Sequence, residues 1–209
     1  MAQRIDRAAS FGQNLYVDTR GAAGEPVPFT QAVINGLAQG GGLYVPEELP
    51  TLSLDEICAL ARLPYAQRAA AIYKAFNVDL PDEAIDELMG RAYGDNFDDE
   101  AICPITSLDE STHILELWHG PTSAFKDMAL QMLPHLLTAS LRKLEEEKTV
   151  CILVATSGDT GKGALEASGT WTTPKFWCST QGRGLRHPGA PDGHPGGEEC
   201  GRLLGLRQL

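Results

Sequence analysis

The chain has 209 residues, enough to bury a sizeable core in one large domain or two small ones, and its 43% hydrophobic and 22% charged content is ordinary for a globular protein. A formal net charge of -11 and a sequence pI of about 4.8 repel phosphate backbones and anionic lipid, which argues against nucleic-acid and membrane partners. The five cysteines are widely spaced and include no Cys-x-x-Cys pair, so the sequence predicts no metal site and no disulfide framework, but reduced thiols in a cytoplasmic protein.

Residues 1–14 read as a polar extension, without the apolar core that a secretory signal needs. No segment approaches the roughly 20 apolar residues of a membrane span. Leu15 to Arg20 predicts a short strand and Gly21 to Pro28 a turn-rich loop. Helical spacing over Phe29 to Leu37 is stopped by Gly40-Gly41-Gly42, and Leu43-Tyr44-Val45-Pro46 is then extended. Three helices are predicted next: Leu54 to Leu63 after a Ser53 cap, Tyr65 to Phe76, and Pro81 to Tyr93. Pro81 suits a first turn, and Asp82 and Glu83 complement the dipole there. Residues 15–104 thus read as a small, mainly helical N-terminal domain.

From residue 105 the pattern changes. His113 to Trp118 alternates as a strand does. Ala124 to Glu147 has the spacing of a long amphipathic helix, with Met128, Leu130, Leu133, Leu136, Leu137 and Leu141 inward. Pro134 inside it predicts a kink, or two helices. Thr149 to Ala155 is a continuous apolar run, the pattern of a parallel strand buried on both faces. The small-residue turn Thr156-Ser157-Gly158-Asp159-Thr160-Gly161 leads into a helix from Lys162. Strand, helix, strand, turn and helix in this order make residues 105–166 the start of an α/β domain of doubly wound type.

Two places carry candidate chemistry. Lys126 follows a Gly-Pro turn at the first turn of the long predicted helix, beside Phe125. The positive end of a helix dipole lowers the cost of a neutral amine, and a neutral amine attacks an aldehyde to form a Schiff base. For an isolated Phe-Lys-Asp triplet the plain alternative is a solvated lysine beside Asp127. Ala155 to Gly161, between a buried strand and a helix start, aims backbone N–H groups at an anion, with Ser157, Asp159 and Thr160 adding polar contacts. On spacing alone it is a generic phosphate or carboxylate loop or a tight turn, and it matches neither the nucleotide P-loop nor the Rossmann pattern. His119 reads either as an orienting group or as a hydrogen-bonded structural histidine. His113 and His135 read as structural, Met128 and Met132 as core, and Glu145-Glu146-Glu147 as a solvated helix face.

The run Leu117 to Asp127 closely resembles the lysine motif of threonine synthases, His-Gly-Pro-Thr-x-Ala-Phe-Lys-Asp. Val154 to Gly161 resembles their Ala-Thr-Ser-Gly-Asp-Thr-Gly motif, and Leu37 to Pro46 their Gly-Gly-Leu-Tyr-Val-Pro segment. Tyr16-Val17-Asp18-Thr19-Arg20-Gly21 is similar to their Tyr-x-Ser-Thr-Arg-Gly, with Asp18 where serine is usual. The resemblance covers roughly residues 15 to 166. It implies a fold-type-II pyridoxal-phosphate enzyme that converts O-phosphohomoserine and water to threonine and phosphate. In that reading Lys126 is the Schiff-base lysine and later a proton shuttle. Phe125 and Asp127 shape its surroundings, and Ser157, Asp159 and Thr160 contact cofactor or substrate phosphate. The oligomeric state stays open.

After Glu166 the chain is crowded with Gly and Pro, and residues 167–209 predict a disordered tail. Back-translation with one base restored after Glu166 yields Glu-Gly-Phe-Arg-Asp-Val-Asp, as threonine synthases continue, and over Lys175 to Gln181 the same frame yields Ile-Leu-Val-Phe-Tyr-Pro, a typical buried strand. A second one-base shift is needed beyond Gln181. The expectation is a tail translated out of frame, with a chain that is weakly active or inactive. A gene without either loss, or with this tail in its proper frame, overturns it. The alternatives are a related dehydratase or β-replacement enzyme, and a non-catalytic remnant or binding protein using the lysine pocket.

Overall fold

The computed structural model describes residues 13–21, 24–147, 151–156, 158–168 and 175–180. Nearly all of the polar extension, Ser157 and most of the tail lie outside the described residues. The chain divides into two units, the first made of residues up to Asn96 together with Glu100–Ile102 and His135–Glu146.

In the first unit β1 (Leu15–Asp18) is the middle strand of an antiparallel sheet, between β2 (Val27–Pro28) and β3 (Tyr44–Pro46). Tyr16 faces Val27 on one side and Pro46 on the other. β2 falls in the stretch expected to be loop; two residues are too few for a period to show. α1 (Phe29–Asn35) ends two residues early because Gly36 turns to a left-handed φ of 69°, a conformation that suits glycine. α2 (Leu54–Leu60) starts on a capping box: the Ser53 hydroxyl accepts from the Glu56 N–H, and the Glu56 carboxylate accepts from the Ser53 N–H. That carboxylate is held below its ordinary range first by the Ser53 hydroxyl and then by the Ser53 N–H.

α3 (Tyr65–Ala75) packs on α4 (Asp82–Ala92). Pro81 is the residue before α4 rather than inside it, and the acidic first turn is Asp82 and Glu83, as expected. Ala70, Ile85, Met89 and Ala92 are buried, and Tyr16, Phe29 and Tyr73 join in an aromatic run with centroids 5.6 and 6.2 Å apart. Under them Asp79, 4% exposed, accepts from the Thr30 N–H at 2.8 Å and the Thr30 hydroxyl at 2.5 Å, and pairs with Lys143 at 3.0 Å. Burial pushes the Asp79 carboxyl up, but the Thr30 donors and Lys143 outweigh it and leave it below the ordinary value.

The second unit holds Phe97–Asp99, Cys103–Pro134 and the chain from Glu147. β4 (Ile105–Ser107) and β5 (His113–Leu115) form an antiparallel hairpin, in which Asp109 accepts the Ser111 and Thr112 N–H groups at 2.8 Å. Only the β5 side was legible as strand, and it is shorter than its alternation suggests. The predicted long helix is two helices, α5 (Asp127–Leu130) and α6 (Leu133–Lys143), and α6 from His135 onward belongs to the first unit. Pro134 has no N–H and sits in the first turn of α6, where none is needed.

β6 (Cys151–Thr156), α7 (Asp159–Ser168) and β7 (Lys175–Thr180) form a strand–helix–strand unit with a parallel pair, Cys151 opposite Lys175 through Thr156 opposite Thr180. The expected double burial of β6 concerns side chains outside the described residues. α7 begins at Asp159, three residues earlier than Lys162, where helical spacing first shows. β7 corrects the expectation of disorder for those residues: Phe176-Trp177-Cys178 favours strand, and a parallel neighbour lies one crossover helix away. Among the described residues no helix is long and apolar enough to cross a membrane.

Candidate active site

The lysine motif is a loop closed on itself by its last residue. Asp127 is fully buried; its two oxygens accept from the Thr122 N–H and the Thr122 hydroxyl, each at 2.8 Å. Gly120 makes this possible, because an added Cβ there would lie 2.5 Å from the Asp127 Cβ. Within the closed loop Ser123 takes a left-handed φ of 56°, its N–H donating to the Gly120 carbonyl at 3.0 Å, and the Asp127 N–H donates to the Ala124 carbonyl at 2.9 Å. Ala124 is buried as the anchor, while Phe125 is 59% exposed and Lys126 half-buried.

Lys126 therefore stands on a fixed turn. Its Nζ lies 4.7 Å from the centre of the Phe125 ring, a cation–π distance, and among the described residues no carboxylate pairs with it. The lysine precedes a four-residue helix, not the first turn of a long one, since the chain breaks again before Pro134. One helical turn sums few peptide dipoles, so this helix end does little to favour a neutral amine.

α7 closes on this loop. Gly163 is the contact: an added Cβ would lie 2.9 Å from Leu130 Cδ1 and 3.4 Å from an Asp127 oxygen. Lys162 donates from Nζ to the Thr122 carbonyl at 3.0 Å. Asp159 and Thr160 sit exposed on the first turn of the same helix and make no hydrogen bond to the loop among the described residues, while Ser157 lies outside them. The structure thus brings the second motif to the lysine loop through Lys162 and Gly163, neither of which sequence reasoning singled out. A glycine two residues after Gly161 inside a helix was the available signal, since glycine there is costly unless something packs close.

His119 is clamped between two carboxylates, Glu116 at 2.7 Å and Asp98 at 2.6 Å, and its ring stacks on Trp118. The bond to Glu116 and then that to Asp98 push its pKa up. Glu116 is held down first by the Thr106 hydroxyl and then by His119. Both ring nitrogens are used in this clamp, which is the structural member of its two sequence readings. His113 meets the Ser107 hydroxyl at 2.9 Å across the hairpin. His135 is pushed down by burial and then by Arg91. Met132 is buried, as a core residue should be.

The two N-terminal motifs form a single nook in the first unit. The Thr19 N–H donates to the Leu43 carbonyl at 2.9 Å, and the Leu43 N–H donates back to the Thr19 hydroxyl at 3.0 Å. Gly42 has no room for a side chain against Asp18, and Gly41 carries a φ of 77°. Asp18 uses its carboxylate locally, accepting the Arg20 N–H at 2.8 Å.

Residues 15–93 match the family model described as threonine synthase N terminus. The threonine synthase of Pseudomonas aeruginosa is 42% identical over 152 residues, 72% of this chain and 32% of that protein. That of Corynebacterium glutamicum is 41% identical over 154 residues, 71% of this chain and 32% of its own length. Among solved structures, the PLP-bound threonine synthase from Brucella melitensis superposes with a TM-score of 0.75 at 36% identity, covering 80% of this chain and 36% of that one. The yeast threonine synthase gives 0.73 at 30% identity, covering 79% and 35%. The chain spans about a third of the length of these relatives. Over the matched residues the chain is similar to the N-terminal portion of threonine synthases, in sequence and in fold.

Proposed function

We propose that this chain carries the cofactor-lysine portion of a threonine synthase, an enzyme that uses pyridoxal phosphate to turn O-phosphohomoserine and water into threonine and phosphate. The observation that carries the reading is the Lys126 amine, held on a loop fixed by Thr122 and Asp127, with an aromatic ring and no described carboxylate against it. An amine without an ion pair to break fits a group that presents an aldehyde. Pyridoxal phosphate, when bound, supplies that aldehyde and a ring that withdraws electrons from the substrate.

Lys126 would hold the cofactor and move a proton at Nζ. Phe125 would flank the cofactor, while Ser157, Asp159 and Thr160 would contact the cofactor or the substrate phosphate, with Asp159 near the cofactor ring. The exposure of Asp159 and Thr160 on the first turn of α7 supports that assignment. The domain division into residues 15–104 and 105–166 belongs to the same proposal, with α6 shared out to the first unit.

Treating the full chain with pyridoxal phosphate, trapping with borohydride and mapping the peptides tests this reading. The label is expected on Lys126 ahead of every other lysine, with the preference abolished in Lys126→Ala. Label spread evenly over the lysines overturns the reading. Phosphate release from O-phosphohomoserine in the same preparations separates threonine synthase chemistry from that of a dehydratase or β-replacement enzyme.

A further inference from the structure

Lys162 stands where a helix least favours a cation. It is on the first turn of α7, at the positive end of the dipole, which disfavours a cation there. Asp159, three residues earlier on the same face, has the spacing for an ion pair. Yet Nζ reaches off the helix to the Thr122 carbonyl at 3.0 Å. With that bond every polar group of Thr122 has a fixed partner: its N–H and hydroxyl are taken by Asp127, and its carbonyl by Lys162. Gly163, next along the helix, brings the backbone of α7 against Leu130 and Asp127.

We propose that Lys162 is a positioning residue for Lys126: by holding the Thr122 carbonyl it locks the Thr122–Asp127 loop against α7 and so fixes where the Lys126 amine is presented. It touches no reacting atom in this role and acts only through Thr122. What Lys126 is presented to rests on the Schiff-base reading above; the locking of the loop does not.

The experiment uses the full chain as wild type, Lys162→Ala and Lys162→Arg, with two readouts. Hydrogen exchange is followed at the amides of Ser123 to Leu130, with those of α4 as reference. The rate of pyridoxal-phosphate and borohydride labelling at Lys126 is followed by peptide mapping. Lys162→Ala is expected to speed exchange in the loop about threefold to tenfold, the worth of one hydrogen bond, and to slow Lys126 labelling by a similar factor. The α4 amides stay unchanged. Arginine, which can also donate to a carbonyl, restores both readouts. Unchanged loop exchange in Lys162→Ala, or a failure of arginine to restore it, overturns the proposal. If wild-type Lys126 shows no labelling preference, the Schiff-base reading fails and the exchange data still decide the tether.

Discussion

Asp79 in the first unit and Asp127 in the second are both almost completely buried, and each is met by one threonine that donates its N–H and its hydroxyl to the two carboxylate oxygens. Their reach differs. Asp79 takes Thr30 from 49 residues away and adds the Lys143 cation, so it ties α1, the start of α4 and α6 into one core. Asp127 takes Thr122 from five residues away, and the Lys162 ammonium beside it is bound to the Thr122 carbonyl and not to the carboxylate. The same rung therefore closes a fold in one place and shapes a loop in the other. A long-range rung should be felt globally, and a short one only where the loop presents its lysine.

The largest effect is expected from Asp79→Ala. It strands the Thr30 donors and removes the carboxylate partner of the Lys143 ammonium, which is part-exposed and still donates to the Asp79 backbone carbonyl. A loss of about 2–4 kcal/mol of first-unit stability is expected in urea unfolding followed by amide protection of α3 and α4. A loss no larger than that of an exposed substitution would show that the rung is not what ties these helices.

Asp127→Ala comes next, at about 1–3 kcal/mol for the unpaired Thr122 donors, and its signature is local. Lys126 should lose its labelling preference while the amides of α4 keep their protection. Gly120→Ala presses on the same carboxylate from the other side and should give the same pattern. Equal loss of protection in both units would erase the distinction between the two rungs.

The legible parts of the molecule were those decided within a few residues. Ser53 and Glu56 announce the start of α2, Pro81 with Asp82 and Glu83 that of α4, and Pro134 the break between α5 and α6. Lys126 and Phe125 were legible as a motif. Short strands such as β2 and β4 leave too few residues for a period, and β7 was obscured by its Gly- and Pro-rich surroundings. The Thr30–Asp79 rung spans 49 residues and has no local signature. Lys162 was missed for the same reason: its role depends on how α7 lies against the loop. Asp159 and Thr160, singled out from the second motif, are exposed and make no described bond to the loop.

Charge state separates the two regions further, in opposite pH directions. Asp79 has a carboxyl held below its unfolded value, so its contribution is fully present above that value, about 4, and is lost as pH falls through the folded one. First-unit amide protection should therefore fall in acid, and Asp79→Asn should flatten that part of the curve. An acid limb unaltered in Asp79→Asn would move the cause elsewhere.

The smallest effect belongs to the His119 clamp, and its sign is the reverse. Its folded pKa is raised above the unfolded value of about 6.5, so the contribution is fully present below that and is lost as pH rises through the folded value. The bonds concerned join Phe97–Asp99 to the residues after β5, and both Glu116 and Asp98 become repelled carboxylates without a cation between them once the ring is neutral. Amide protection factors over residues 97–99 and 116–119, corrected for intrinsic exchange, should thus decline above neutral pH. The reference residues of α4 should not follow. His119→Gln can still donate to one carboxylate but carries no charge, and it should show the weakened protection at every pH. A pH dependence that survives in His119→Gln would assign the effect to another group and leave the clamp as packing alone.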